Sequence, residues 1–147
     1  MRHRVLAFAV LTLVAIWSEA KYSGQWIGEA QYRDTTGRLQ DCEKVYFDIS
    51  QMCGAFRINS AELQCGSGFV LHLDPFYLEY ENQQLTFNGK VIGTVDDKHL
   101  SANFEDPKEK ANHIINLESV DQKIHFSYRI QYQTSSSETE ISGELHH

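Results

Sequence analysis

From Gly24 to the C-terminus, apolar and polar residues alternate in short runs, the period of strands with one buried face. Trp26, Gly28, Ala30 and Tyr32 share one face of the first run, with Glu29 on the other. Val45, Phe47 and Ile49 follow, then Phe56 and Ile58, then Phe69, Leu71 and Leu73, then Phe76, Leu78 and Tyr80. Leu85 and Phe87, then Val91, Gly93 and Val95, then Leu100, Ala102 and Phe104 keep one parity within each run. So do Ile115 and Leu117, the long set Ile124, Phe126, Tyr128, Ile130 and Tyr132, and the closing set Ile141, Gly143 and Leu145. No segment after Ala20 keeps an apolar stripe at helical period for three turns.

Between the runs stand residues that suit turns: Thr36-Gly37, Cys53-Gly54, Asp74-Pro75, Asn82-Gln83, Asn88-Gly89, Asp96-Asp97, Asp106-Pro107 and Ser135-Ser136-Ser137. Gly and Asn tolerate positive φ there, and Pro presets its own. Such short connections favour antiparallel neighbours, because parallel pairing needs long crossovers. With no helix to cover an open sheet, closure removes the edges that would pair with other chains. The pattern therefore predicts an all-β fold, a single antiparallel up-and-down β-barrel of about 8–10 strands over residues 21–147. Most runs are shorter than the roughly 9–11 residues a membrane-crossing strand needs. Glu29, Arg57, Glu79 and Arg129 at mid-strand would be costly against lipid, which points to an apolar interior and a wet exterior.

Residues 1–20 stand apart from this pattern. Arg2, His3 and Arg4 precede an unbroken apolar run from Val5 to Trp17, and Ser18-Glu19-Ala20 puts small residues at the −3 and −1 positions. These are the marks of a signal peptide cleaved after Ala20, with an apolar run too short to cross a bilayer as a helix. The expected location is secreted or periplasmic, with no transmembrane span after cleavage. Removing Arg2, Arg4 and Glu19 takes the 13 basic and 20 acidic side chains to 11 and 19, a balance near −8. That surface repels phosphate backbones, and no basic stripe carries interleaved aromatics, so nucleic acid is excluded as a partner.

Export also changes the reading of the cysteines, since an oxidising compartment favours a disulfide among Cys42, Cys53 and Cys65. A hairpin turning at Met52-Cys53-Gly54 sets Phe47 beside Ile58 and Ile49 beside Phe56. Extended, that register brings Cys42 near Leu63, and a bulge near Ser60-Ala61 aligns it with Cys65. The expected bridge is Cys42 to Cys65, with Cys53 a free thiol at the far tip. Spacings of 11 and 12 offer no close cysteine pair for zinc, so no metal and no cofactor is expected.

Gly24-Gln25-Trp26, on the first strand of a small exported barrel, resembles the G-x-W signature of the lipocalin and wider calycin superfamily. The resemblance implies a lipocalin-like barrel whose tryptophan packs across the closed end against an Arg or Lys from near the final strands. Arg129 is the nearest candidate, although Phe126, Tyr128 and Ile130 beside it lie on the opposite parity. Trp26 is accordingly expected to be structural and buried on the inward face, with Gly24 and Gly28 allowing close approach of neighbouring chain.

A barrel of about eight strands either fills with side chains or holds one ligand, and alternation does not choose between them. Small Gly28, Ala30, Gly93 and Ala102 leave room, and the hydroxyls of Tyr32, Tyr80, Tyr128 and Tyr132 are the polar groups an aromatic pocket would use. The favoured function is thus binding of a small apolar or amphipathic molecule inside the barrel, with those four tyrosines as candidate ligand contacts. The alternative is a non-enzymatic interaction or inhibitor module that meets an envelope protein partner through loops such as Asp34 to Cys42 or Thr134 to Thr139. His72, His99, His113 and His125 are scattered, mostly on polar faces, and none is paired in sequence with a nucleophile and an orienting carboxylate. No catalytic residue is expected, and an enzyme is the least favoured of the three classes.

Overall fold

The computed structural model describes residues 21–147 apart from Cys53, Ser67, Gly68 and Asp74. The leader, its cleavage site and the free thiol expected at Cys53 lie outside the described residues. Eleven antiparallel strands follow one another: β1 Gly24–Arg33, β2 Leu39–Met52, β3 Ala55–Cys65, β4 Phe69–Leu73, β5 Phe76–Glu81, β6 Gln84–Phe87, β7 Lys90–Val95, β8 His99–Asp106, β9 Ala111–Val120, β10 Lys123–Tyr132 and β11 Glu138–His146. Each strand of the circuit pairs with its neighbours in sequence, β11 returns to β1, and the β2–β3 pairing completes the ring. β4 and β5 keep one register along β3, Ala61 opposite Leu73 and Ile58 opposite Phe76, so they occupy one position in the wall, broken at Pro75. The result is a closed, ten-position, up-and-down barrel, the fold class expected from the alternation.

The inward residues are largely those of the apolar runs. Trp26, Ala30, Val45, Phe47, Ile49, Phe56, Ile58, Leu78, Leu85, Leu100, Leu117, Ile124, Phe126, Ile141 and Leu145 form one core. β7 departs from its expected face. Val91 is 54% exposed while Ile92 is only 8% exposed, because Leu85 pairs with Gly93 but Thr86 pairs with Val91, and Ile92 is the extra residue of a bulge.

Registers are set by tight turns. Asn82-Gln83, Asn88-Gly89 and Asp121-Gln122 all have positive φ at both residues, the geometry of two-residue hairpin loops whose twist matches the strands. The β2–β3 turn is of the same length: Met52 pairs with Ala55, and Gly54 has φ 75°. This corrects the expected three-residue turn and its pairs. Ile49 faces Ile58, not Phe56, and Phe47 faces Ala61, not Ile58. The bulge expected at Ser60-Ala61 falls at Asn59, a second one falls at Glu43, and together they bring Cys42 opposite Cys65. A disulfide joins those two cysteines.

One end of the barrel is closed by the start and finish of the described chain. Trp26 is 2% exposed, its Nε1 donates to the Tyr22 carbonyl at 2.9 Å, and the His147 ring lies 3.7 Å from it. The Tyr22 ring sits edge-on to Phe56, and Lys21 Nζ reaches the Asp97 carbonyl at 2.9 Å. Gly28 is obligatory here, since a Cβ would stand 1.9 Å from the Glu144 carbonyl oxygen of β11. The cation the resemblance implied is not at Trp26. Arg129 points outward near the other end, 3.6 Å from Glu138, as its parity requires, and His147 covers the indole instead.

Candidate functional site

The opposite end is open. A cavity of about 500 Å³ runs into the barrel from there, walled by Phe47, Ile49, Ile58, Leu63, Phe76, Phe87, Phe104, Ile115, Leu117, Phe126, Tyr128 and Ile141. Its mouth is bordered by Asn88 of the β6–β7 turn and by Glu105 to Lys108, where β8 runs into its turn to β9. That turn is built on Asp106, whose Oδ1 accepts the backbone N–H of Lys108 at 2.8 Å and of Glu109 at 3.4 Å. Lys110 then takes positive φ before β9 begins.

Antiparallel pairing places one row of rings along the wall near the mouth. Phe104 on β8 faces His113 on β9 directly, and β10 brings Tyr128 alongside. Phe76 stacks on Phe104 at 5.5 Å, Phe104 on His113 at 5.2 Å and 10°, and His113 near Tyr128 at 5.9 Å and 20°, with Phe87 5.5 Å from Phe76. Deeper in, Phe47 and Phe126 meet edge to face at 5.3 Å. Offset and edge-on pairs of this kind hold rings in place without filling the interior. β7 and β8 pair only over Gly93–Val95 with Leu100–Ala102. Above that stretch Phe87, Asn88, Phe104, Glu105 and Pro107 also border a groove on the outer surface, beside Ile92 and Asn103.

Polar groups in the wall converge on His113, which is 7% exposed. Its Nδ1 is 2.7 Å from the Tyr128 hydroxyl. Its Nε2 makes no hydrogen bond among the described residues; Glu109 Oε2 stands 3.4 Å away, close enough for an ion pair but misaligned for a hydrogen bond. Burial, then the negative charge of Glu109, pushes the Tyr128 phenol up to about 12, so the hydroxyl is neutral and keeps its proton at physiological pH.

The four candidate tyrosines end up in different places. Tyr128 lines the cavity. Tyr32 packs against the core at the open end, where burial, then Asp34 and Tyr132, raise its pKa. Tyr132 lies nearby at the rim, opposite Ala111. Tyr80 is at the closed end, its hydroxyl donating to the Met52 carbonyl at 3.1 Å. His113 was read from sequence with the scattered histidines, yet it shares the parity of Ile115 and Leu117. That parity was the signal for an inward imidazole. Asp106 read from sequence as a turn residue and Glu109 was not singled out; only the hairpin brings them to His113, where the three offer ligand atoms within 4.8 Å of one another.

No protein-family model and no curated protein sequence matches the chain. Its fold is similar to that of an S-type phycobiliprotein lyase from Guillardia theta, with a TM-score of 0.60 at 13% identity over 85% of this chain and 86% of that one. At that identity the likeness is one of fold, a small antiparallel barrel rather than specifically a lipocalin.

Proposed function

We propose that the protein is an exported carrier or sensor that holds one small apolar or amphipathic molecule, with a flat ring system, inside the barrel. The observation that carries this reading is the cavity itself: about 500 Å³, open at one end, and walled by stacked rings with Tyr128 and His113 as its inner polar groups. Small-molecule sites have this form, apolar walls with a few placed polar atoms. A planar guest would lie against Phe104 and Phe76, while a polar substituent would meet the Tyr128 hydroxyl or the mouth. The fold shared with a phycobiliprotein lyase supports the barrel and leaves the choice of guest to the cavity wall. Export rests on the leader at residues 1–20, and intact mass of protein from its native host tests it: Lys21 should be the first residue.

Binding is tested with N-phenyl-1-naphthylamine, a neutral planar fluorophore that brightens in apolar surroundings. One probe per chain should bind with a blue shift, and Ile115→Trp, which fills the cavity, should abolish the signal while leaving strand content and cooperative unfolding intact. Equal binding by Ile115→Trp would place the probe outside the barrel and end this reading.

A further inference from the structure

We propose that Asp106, Glu109 and His113 form a site for a zinc-like divalent cation at the mouth of the barrel. All three stand on the β8–β9 hairpin in the order Asp-x-x-Glu-x-x-x-His, and they offer one nitrogen and two carboxylate oxygens within 4.8 Å of one another. Acidic groups in a turn are common without a metal. What distinguishes this cluster is the imidazole: His113 is more than nine-tenths buried, and its Nε2 has no hydrogen-bond partner among the described residues, although Glu109 Oε2 stands 3.4 Å away. A buried ring nitrogen left unpaired is costly, and a metal ion bound there satisfies it.

The rest of the ring is arranged as for a ligand. Nδ1 is held at 2.7 Å by the Tyr128 hydroxyl, whose oxygen accepts a hydrogen bond from Nδ1–H in the tautomer that leaves the Nε2 lone pair for the metal. Phe104 and Tyr128 flank the imidazole, which fixes its plane. Asp106 is likewise immobilised by two backbone N–H groups on Oδ1, leaving its second oxygen for the cation. Nitrogen and oxygen ligands about 2.0–2.2 Å from zinc lie roughly 3.3 Å apart. Nε2 and Glu109 Oε2 are already at 3.4 Å, and Glu109, more than half exposed, closes on a cation by rotating its own side chain. Two carboxylates balance a dication. Three protein ligands leave a coordination position for water or an anion, and because Asp106 and His113 line the cavity, that position borders the guest. The site would thereby fix a carboxylate head on an amphipathic occupant, a role that rests on the binding reading above.

The test is calorimetry of zinc into the metal-stripped full chain, together with imidazole NMR signals. The expected result is one zinc per chain with micromolar or tighter affinity, a shift confined to the His113 ring among the inward groups, and at least a tenfold loss in Glu109→Gln and in His113→Gln. Glu109 is exposed, so its variant stays folded even if His113→Gln does not. Affinity unchanged in Glu109→Gln, with shifts at His146 and His147, would assign the metal to the terminal histidines and overturn the proposal, as would no binding below millimolar zinc. N-phenyl-1-naphthylamine binding to the metal-free protein reports the apolar cavity separately, so the failure of one reading does not conceal the fate of the other.

Discussion

At the closed end Trp26 has its only donor on the Tyr22 carbonyl and the His147 ring against its indole, while Tyr22 itself is sealed against Phe56. At the open end Phe76, Phe104, His113 and Tyr128 stand in a row with the cavity before them. Both ends are aromatic. They differ in what completes the packing: the first and last described residues at one, and space at the other. Aromatic content alone therefore says nothing about which end binds. The distinction lies in whether each ring's neighbours are backbone and the first and last described residues, or other rings across a gap.

The largest expected effect is at the closed end. Trp26→Ala should cost about 3–5 kcal/mol, the range for removing a core tryptophan, measured by denaturant unfolding. Binding of N-phenyl-1-naphthylamine by the folded fraction should stay within about threefold of wild type, because Trp26 is not in the cavity wall. A collapse of affinity in protein that remains folded would erase the division between the two ends.

The disulfide tests whether the open end is held by covalent means. Cys42 and Cys65 close a loop of 23 residues' separation, for which chain-entropy reasoning gives about 3 kcal/mol. Replacing both by Ser should lower stability by about that amount and loosen β2 against β3 at the mouth, read as faster amide exchange in Lys44 and Gln64. Equal loosening at Met52 and Ala55 would mean that the two ends are not independently held.

Trp26 and the core were legible in the sequence because both depend on local parity: a strand's period assigns a face without knowledge of its partner. What was not legible depended on pairing. The β2–β3 register was misplaced because a two-residue turn and a bulge at Asn59 offset one another only when the partner strand is known. Tyr80 and Tyr128 look alike in sequence, yet one ends beside Met52 and the other in the cavity, since strand direction decides which end a residue reaches. Asp106, Glu109 and His113 meet only because the β8–β9 hairpin folds back on itself.

An alkaline titration sharpens the comparison at the closed end. Burial, then the charges of Asp96, Asp97 and Glu118, push the Tyr22 phenol up to about 12 from an ordinary 10. Its folded pKa is raised, so its contribution is fully present below pH 10 and is lost as pH rises through 12. Two pKa steps correspond to about 2–3 kcal/mol. Unfolding free energy should fall across that window, and Tyr22→Phe should flatten the fall. Below pH 10 the substitution should be neutral or slightly stabilising, because the Tyr22 hydroxyl is buried with no hydrogen-bond partner among the described residues. A slope retained in Tyr22→Phe would assign it to another group.

The smallest effect bears on what the open end is for. Phe104→Leu keeps the wall apolar and nearly preserves volume, so stability should change by less than about 1.5 kcal/mol. It removes the ring that stacks with Phe76 on one side and His113 on the other. An aromatic stack contributes about 0.5–1.5 kcal/mol beyond area, so affinity for N-phenyl-1-naphthylamine should drop by about two- to tenfold. A flexible aliphatic guest such as 1-dodecanol, competing for the same cavity, has no ring to stack and should bind the variant as it binds the wild type. A parallel loss for both guests would mean that Phe104 only encloses the cavity. A loss restricted to the planar guest would mean that the row of rings selects for flatness, which the buried indole at the other end, covered by His147, has no means to do.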